Sequence, residues 1–188
     1  MTKILEVCVD LDGGGIDRCL LNYCSRIPYI QFDFAIVEDG KIGILEEPIK
    51  ALGSHIYSVP RQRNGLRANY NALKKIMTDT RYDAVHVHLG YKGAVALLCA
   101  KNCGIKTRMV HAHIAAEPES FKAKCIRKIM TVLTKSLATS LLACGVYAAK
   151  WVWGERTYRK GKVTVINNAI QTAKYAYSSA EREKARNQ

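Results

Sequence analysis

Four histidines stand in two His-x-His pairs, His86/His88 and His111/His113. Residues two apart on a strand project to the same side, and each pair closes an apolar run. If the two runs are neighbouring strands, as a doubly wound order suggests, four imidazoles converge near the crevice at the carboxyl ends of the strands. The outer members, His88 and His113, could hydrogen-bond sugar hydroxyls or a phosphate, and imidazole is also a common zinc ligand. No Asp or Glu accompanies the pairs before Glu117 and Glu119, so no metal is expected. Taken singly, each histidine could equally be a strand-end residue with a backbone partner.

The second candidate is the glycine run Gly13-Gly14-Gly15, which follows Ile4–Val9 and Asp10-Leu11-Asp12. Glycines at the turn from a strand into a helix let a ligand approach the backbone. The free amides at the helix start then favour a phosphate. The run is neither Gly-x-Gly-x-x-Gly nor a P-loop, so no dinucleotide or other cofactor is expected. A tight strand-to-helix turn would need the same residues. Asp10, Asp12 and Asp17 are the carboxylates associated with it. No Ser/His/Asp constellation stands out.

Positioning these residues requires alternating elements. Apolar runs at Ile4–Val9, Gln31–Val37, His55–Val59, Ala84–His88, Thr107–His111, Ser140–Cys144 and Val163–Ile166 read as strands. Phe32, Phe34 and Ile36 share one face of the second run. Helical patterns start at the glycine loop and recur near Glu47–Leu52, ending at Gly53. Others cover Leu66–Met77, about 91–102, about 121–138 and Val146–Trp153, and Asp39-Gly40 reads as a turn. Such alternation predicts βαβ units. With right-handed crossovers, they form an α/β, doubly wound, Rossmann-like parallel sheet with helices on both faces. Residues 1–170 read as this domain. Residues 171–188 read as a linker toward a further domain, since the tail from Ser178 is polar with no apolar stripe.

Composition narrows the class. With 48% hydrophobic and 24% charged residues among 188, the chain is globular and long enough for one core. No apolar run approaches a membrane span, and the start does not read as a signal peptide. Seven cysteines without a Cys-x-x-Cys indicate neither a disulfide framework nor a zinc ribbon, and the cytosol is expected. Cys8, Cys144 and the pair Cys99/Cys103 are expected to pack as small hydrophobes. Residues 1–50 carry five basic and nine acidic residues, whereas 51–188 carry twenty-four and seven. That basic field suits polyanions: nucleic acid, anionic lipid or phosphorylated small molecules.

Two acid-free basic clusters stand out: Arg61, Arg63, Arg67, Lys74 and Lys75, and the helix Phe121–Ala138. In that helix Cys125, Ile126, Ile129, Met130, Leu133 and Leu137 form a stripe expected in the core. Lys122, Lys124, Arg127, Lys128 and Lys135 lie elsewhere and could face an anionic membrane. Tyr147, Trp151 and Trp153 are expected to pack.

Gly13-Gly14-Gly15-Ile16-Asp17-Arg18, Leu20-Leu21-Asn22 and Gln31-Phe32-Asp33-Phe34 resemble the amino-terminal half of GT-B glycosyltransferases of sequence family four. Tyr82 through His88, Arg108 through His113 and Val163 through Ile170 extend the likeness, which is nearest to enzymes of capsule and exopolysaccharide synthesis. The resemblance implies retaining transfer of a sugar from a nucleotide-sugar donor to an acceptor, often a lipid-linked saccharide. Catalysis would occur in a cleft between two Rossmann-like domains. It implies that Gly13, Gly14 and Gly15 line the cleft near phosphates and acceptor, and that His111 or His113 contacts the donor sugar. It also implies membrane docking of the first domain's basic helices. The family usually has Glu where Asp17 stands, and Asp where Gln171 stands. Its donor-gripping second domain would lie beyond Gln188, so this chain alone is expected to be inactive. A basic module binding nucleic acid or another polyanion is the alternative, with charge alone behind it and no nucleic acid otherwise expected. A histidine-dependent metal hydrolase is a third.

Overall fold

The computed structural model describes residues 1–37, 42–114, 120–172 and 176–187. The Asp39-Gly40 turn and the acids Glu117 and Glu119 lie outside them.

Seven strands form one parallel sheet: β1 (Thr2–Val7), β2 (Ile30–Val37), β3 (Ile56–Val59), β4 (Ala84–Val87), β5 (Thr107–Ala112), β6 (Ser140–Ala143) and β7 (Val163–Val165). Their order is β3-β2-β1-β4-β5-β6-β7. The chain winds outward from β1 to β3, returns to β4 beside β1, and winds out the other way. The doubly wound Rossmann-like architecture expected from the sequence is therefore present, with its order reversing between β1 and β4.

The helices are α1 (Gly15–Cys24), α2 (Glu46–Lys50), α3 (Leu66–Asp79), α4 (Ala94–Asn102), α5 (Phe121–Leu137), α6 (Val146–Ala148), α7 (Glu155–Arg159) and α8 (Ser179–Arg186). Short 3-10 turns, Gln62–Asn64 and Gly90–Lys92, precede α3 and α4, and a π-helical turn, Ala149–Trp153, follows α6. The tail expected to be a polar linker is helical over α8, which buries no residue. Its side chains support a helix by propensity and by a Ser178 cap accepting from the Glu181 amide, without needing an apolar stripe.

The period of two in the strands splits the sheet into unlike faces. Leu5, Val7, Val85, Val87, Val110 and Ala112 meet α3, α4 and the 149–153 turn in the larger core. Phe32, Phe34 and Ile36 meet α1 and α2 in a smaller one, as their alternation predicts. Trp153 is fully buried, its indole N–H donating to the Leu142 carbonyl at 2.8 Å. Tyr147, by contrast, is largely exposed.

The stripe of α5 departs further. Leu137 is buried and Met130 half-buried, but Ile126, Ile129 and Leu133 are exposed, together with Phe121 and Val132. Thr131 and Thr134 occupy the buried side instead, their hydroxyls donating to the Val152 and Tyr91 carbonyls. The contact there is with backbone rather than with an apolar groove, so polar threonines turn inward and the aliphatic side chains outward.

Candidate functional site

The site lies where the strand order reverses. There the loops after β1 and β4 leave the sheet in opposite directions and open a crevice at the carboxyl ends of the strands. After β1 the chain turns at Gly13, whose φ of +88° is left-handed, and enters α1. Asp17, three residues into the helix, reaches back. Its Oδ2 accepts from the Gly13 amide at 3.1 Å and the Gly14 amide at 3.0 Å. Burial raises the Asp17 pKa, against the lowering effect of those amides. Two amides that the sequence reading offered to a phosphate are therefore bonded to this chain's own carboxylate. Gly15 and Ile16 remain as helix-start amides with no intrahelical acceptor.

β4 and β5 are neighbours, so the convergence expected of the two His-x-His pairs is realised. His86, His88, His111 and His113 all stand on the α1 face, each ring within 5.6 Å of at least two others, centroid to centroid. The sequence reading missed their anchor. Glu6, in the middle of β1 and paired in register with His86, is 2% exposed. Its Oε2 lies 2.7 Å from His88 Nε2 and 3.1 Å from His86 Nδ1. The signal was available: Glu6 interrupts an otherwise apolar run, and a charge inside a strand is almost never buried without a partner.

Burial would push the Glu6 pKa up, but the fields and hydrogen bonds of His86 and His88 outweigh it and hold the carboxyl at about 2. Burial, and secondarily the neighbouring rings, lowers His88 to about 4, His113 to about 3 and His111 to about 2. Those three rings are neutral at neutral pH. His88 Nδ1 is 2.8 Å from His113 Nε2, and His111 Nδ1 is 3.3 Å from His86 Nε2.

Three adjoining spaces surround this cluster and share Ile16 and His88. One of about 260 Å³ touches Gly14, Gly15 and Asp17. A second, of about 250 Å³, touches His113, Lys92 and Trp151. The third, about 200 Å³ under α1, touches Glu6 and all four histidines. The spaces at the glycine loop and at His113 thus share Val9, Ile16 and His88, although no single one touches both. One ring nitrogen from each of His86, His88 and His111 lies within 4.8 Å of the others, a spacing open to a cation. Asp10 and Asp12 contribute an Asx turn, the Asp12 amide donating to Asp10 Oδ1 at 3.5 Å.

No protein-family model matches the sequence. It is 26% identical over 191 residues to EpsF of Bacillus subtilis (strain 168), a glycosyltransferase by name, across 97% of this chain and 50% of that protein. The chain is glycosyltransferase-like. It spans about half the length of that relative. Among solved structures, HepE from Anabaena in complex with UDP superposes with a TM-score of 0.73 at 15% identity, over 100% of this chain and 49% of that one. The lipopolysaccharide outer core galactosyltransferase WaaB gives 0.61 at 12% identity, over 90% and 46%. A UDP-GlcNAc 2-epimerase from Neisseria meningitidis gives 0.60 at 15%, over 89% and 47%. The shared element is the Rossmann-like half of a GT-B architecture. Transferases and epimerases both use it, so the fold by itself does not choose the reaction.

Proposed function

We propose that this chain is the acceptor-side half of a retaining glycosyltransferase of the GT-B class, sequence family four. The enzyme moves a sugar from a nucleotide-sugar donor to a saccharide acceptor, lipid-linked, in capsule or exopolysaccharide synthesis at the cytoplasmic side of the membrane. Residues 1–170 form the domain and 171–188 lead toward the facing one. The observation that carries the reading is the crevice at the strand-order reversal, bordered by Gly14, Gly15, His88 and His113. Likeness to EpsF along nearly the whole chain supports the same reading, as does likeness to HepE, whose crystal structure holds UDP.

In this reading His113 meets the donor sugar, His111 supports it, and the helix-start amides of Gly15 and Ile16 serve the phosphates. Gly13 and Gly14 shape the turn. No cofactor or metal takes part. Holding donor and acceptor together between two domains supplies roughly 7–11 kcal/mol of the barrier, which half a cleft does not. The exposed face of α5, with Phe121, Ile129 and Val132 beside Lys122, Lys124 and Lys128, docks on anionic lipid and keeps the crevice near a lipid-linked acceptor.

The test is transfer from UDP-sugars to lipid-linked saccharide by the chain joined to a second GT-B domain, against the chain alone. Transfer only by the joined protein, abolished by His113→Ala, is expected. Turnover by the 188 residues alone would overturn the two-domain requirement, and full activity of His113→Ala would remove the histidine from the site.

A further inference from the structure

The protons on the four rings follow from one carboxylate. Glu6 Oε2 faces His88 Nε2 at 2.7 Å and His86 Nδ1 at 3.1 Å. An ionised carboxylate only accepts, so both nitrogens carry hydrogen. A neutral imidazole has one N–H, which leaves His88 Nδ1 and His86 Nε2 as lone pairs. Each of these faces a second ring: His113 Nε2 at 2.8 Å and His111 Nδ1 at 3.3 Å. A lone pair accepts only from N–H, so these two nitrogens are protonated in turn. The last nitrogens in the two chains, His113 Nδ1 and His111 Nε2, are then lone pairs. They are the two imidazole atoms left buried without a hydrogen-bond partner among the described residues.

We infer that Glu6 is a positioning residue that sets the tautomers of all four histidines and presents acceptor nitrogens at His113 and His111 to a hydrogen-bond-donating ligand, a sugar hydroxyl rather than a phosphate. Phosphate oxygens at neutral pH are themselves acceptors, and the Glu6 charge behind the rings repels them further. Both histidines line the space of about 200 Å³ under α1, and His113 also lines the neighbouring one, so a ligand in the crevice would lie against these rings. A cation held by His86, His88 and His111 would need the His86 and His88 lone pairs, which in this arrangement accept from neighbouring rings. The naming of a sugar rests on the function proposed above. The tautomers rest on the geometry alone.

The experiment is long-range proton–nitrogen correlation on the isotope-labelled 188-residue chain at about pH 8, above the ordinary imidazole range. Hydrogen is expected on His86 Nδ1, His88 Nε2, His111 Nδ1 and His113 Nε2; the opposite tautomer at any of the four overturns the assignment. Zinc carried stoichiometrically by the purified chain overturns it as well. His88 Nε2 and His86 Nδ1 face the same oxygen, so in Glu6→Gln a single atom, amide oxygen or amide nitrogen, meets both, and the two chains of rings keep or reverse their tautomers together. One chain reversed with the other unchanged in a folded Glu6→Gln protein would show that Glu6 does not set both, and if that variant fails to fold, the wild-type spectrum still decides. Methyl glucoside should shift the His113 and His111 ring signals and inorganic phosphate should not. A phosphate shift overturns the hydroxyl preference. Silence toward the glucoside with the tautomers as stated counts against the sugar reading alone.

Discussion

His88 donates to Glu6 across 2.7 Å, from β4 to β1, the two strands at which the sheet reverses its order. The bond therefore spans the floor of the crevice. It ties the strand that leads into the glycine loop to the strand that carries the histidines, and it places a buried anion directly beneath the candidate site.

Acid should unfold this protein earlier than its basic composition suggests. Folded His88, His113 and His111 are held at about 4, 3 and 2, against roughly 6.5 for unfolded histidine. The unfolded chain binds protons that the native one refuses, so stability falls as pH drops below about 6.5 and keeps falling to about 4 and below. Glu6, lowered from 4.5 to about 2, adds a loss of the same sign below 4.5. Each group contributes at most about 1.4 kcal/mol per pH unit. Urea midpoints should drop markedly between about pH 7 and pH 5, a window in which exposed carboxylates hardly titrate. Equal midpoints would mean that the rings are not buried neutral.

Asp17 should matter through its acceptor oxygen more than through its charge. Asn at this position keeps an oxygen for the Gly13 and Gly14 amides, and burial already disfavours the ionised form. Asp17→Asn should therefore change stability by less than about 1 kcal/mol, whereas Asp17→Ala should cost about 1–2 kcal/mol. Thermal melts of the two variants distinguish the roles; equal losses would point to charge.

The α5 surface should bind vesicles by charge, assisted by shallow apolar contact. Three exposed lysines at about 1 kcal/mol each give roughly millimolar affinity before Phe121, Ile129 and Val132 contribute. Co-sedimentation should require anionic lipid and fade with salt. Ile129→Glu should weaken it without lowering the melting temperature, because the side chain is exposed. Binding to neutral vesicles as strong as to anionic ones would contradict an electrostatic cause.

Trp153 should be the costliest packing residue near the site. Trp153→Phe removes the indole bond to the Leu142 carbonyl and should destabilise by about 0.5–1.5 kcal/mol. Trp153→Ala adds a cavity and should cost about 3–5 kcal/mol. Denaturant titrations of the two variants check the difference, and a silent Phe variant would show that the indole bond adds nothing to stability.

The order of elements was legible because parallel strands buried on both faces leave short apolar runs, and the helices between them leave a period near 3.6. His86, His88, His111 and His113 share a face because strand geometry has a period of two, a local property. Tertiary structure alone decided that β4 lies between β1 and β5, and hence that Glu6, some eighty residues away in sequence, meets both His86 and His88. Local pattern was equally blind to the inverted face of α5, where hydroxyls satisfy backbone carbonyls of the 149–153 turn and the Tyr91 loop. It was blind also to the closing of the glycine loop on Asp17. Periodicity records which side chains avoid water on average. Which polar atoms meet inside depends on pairings between distant segments, and those exist only once the sheet has closed around them.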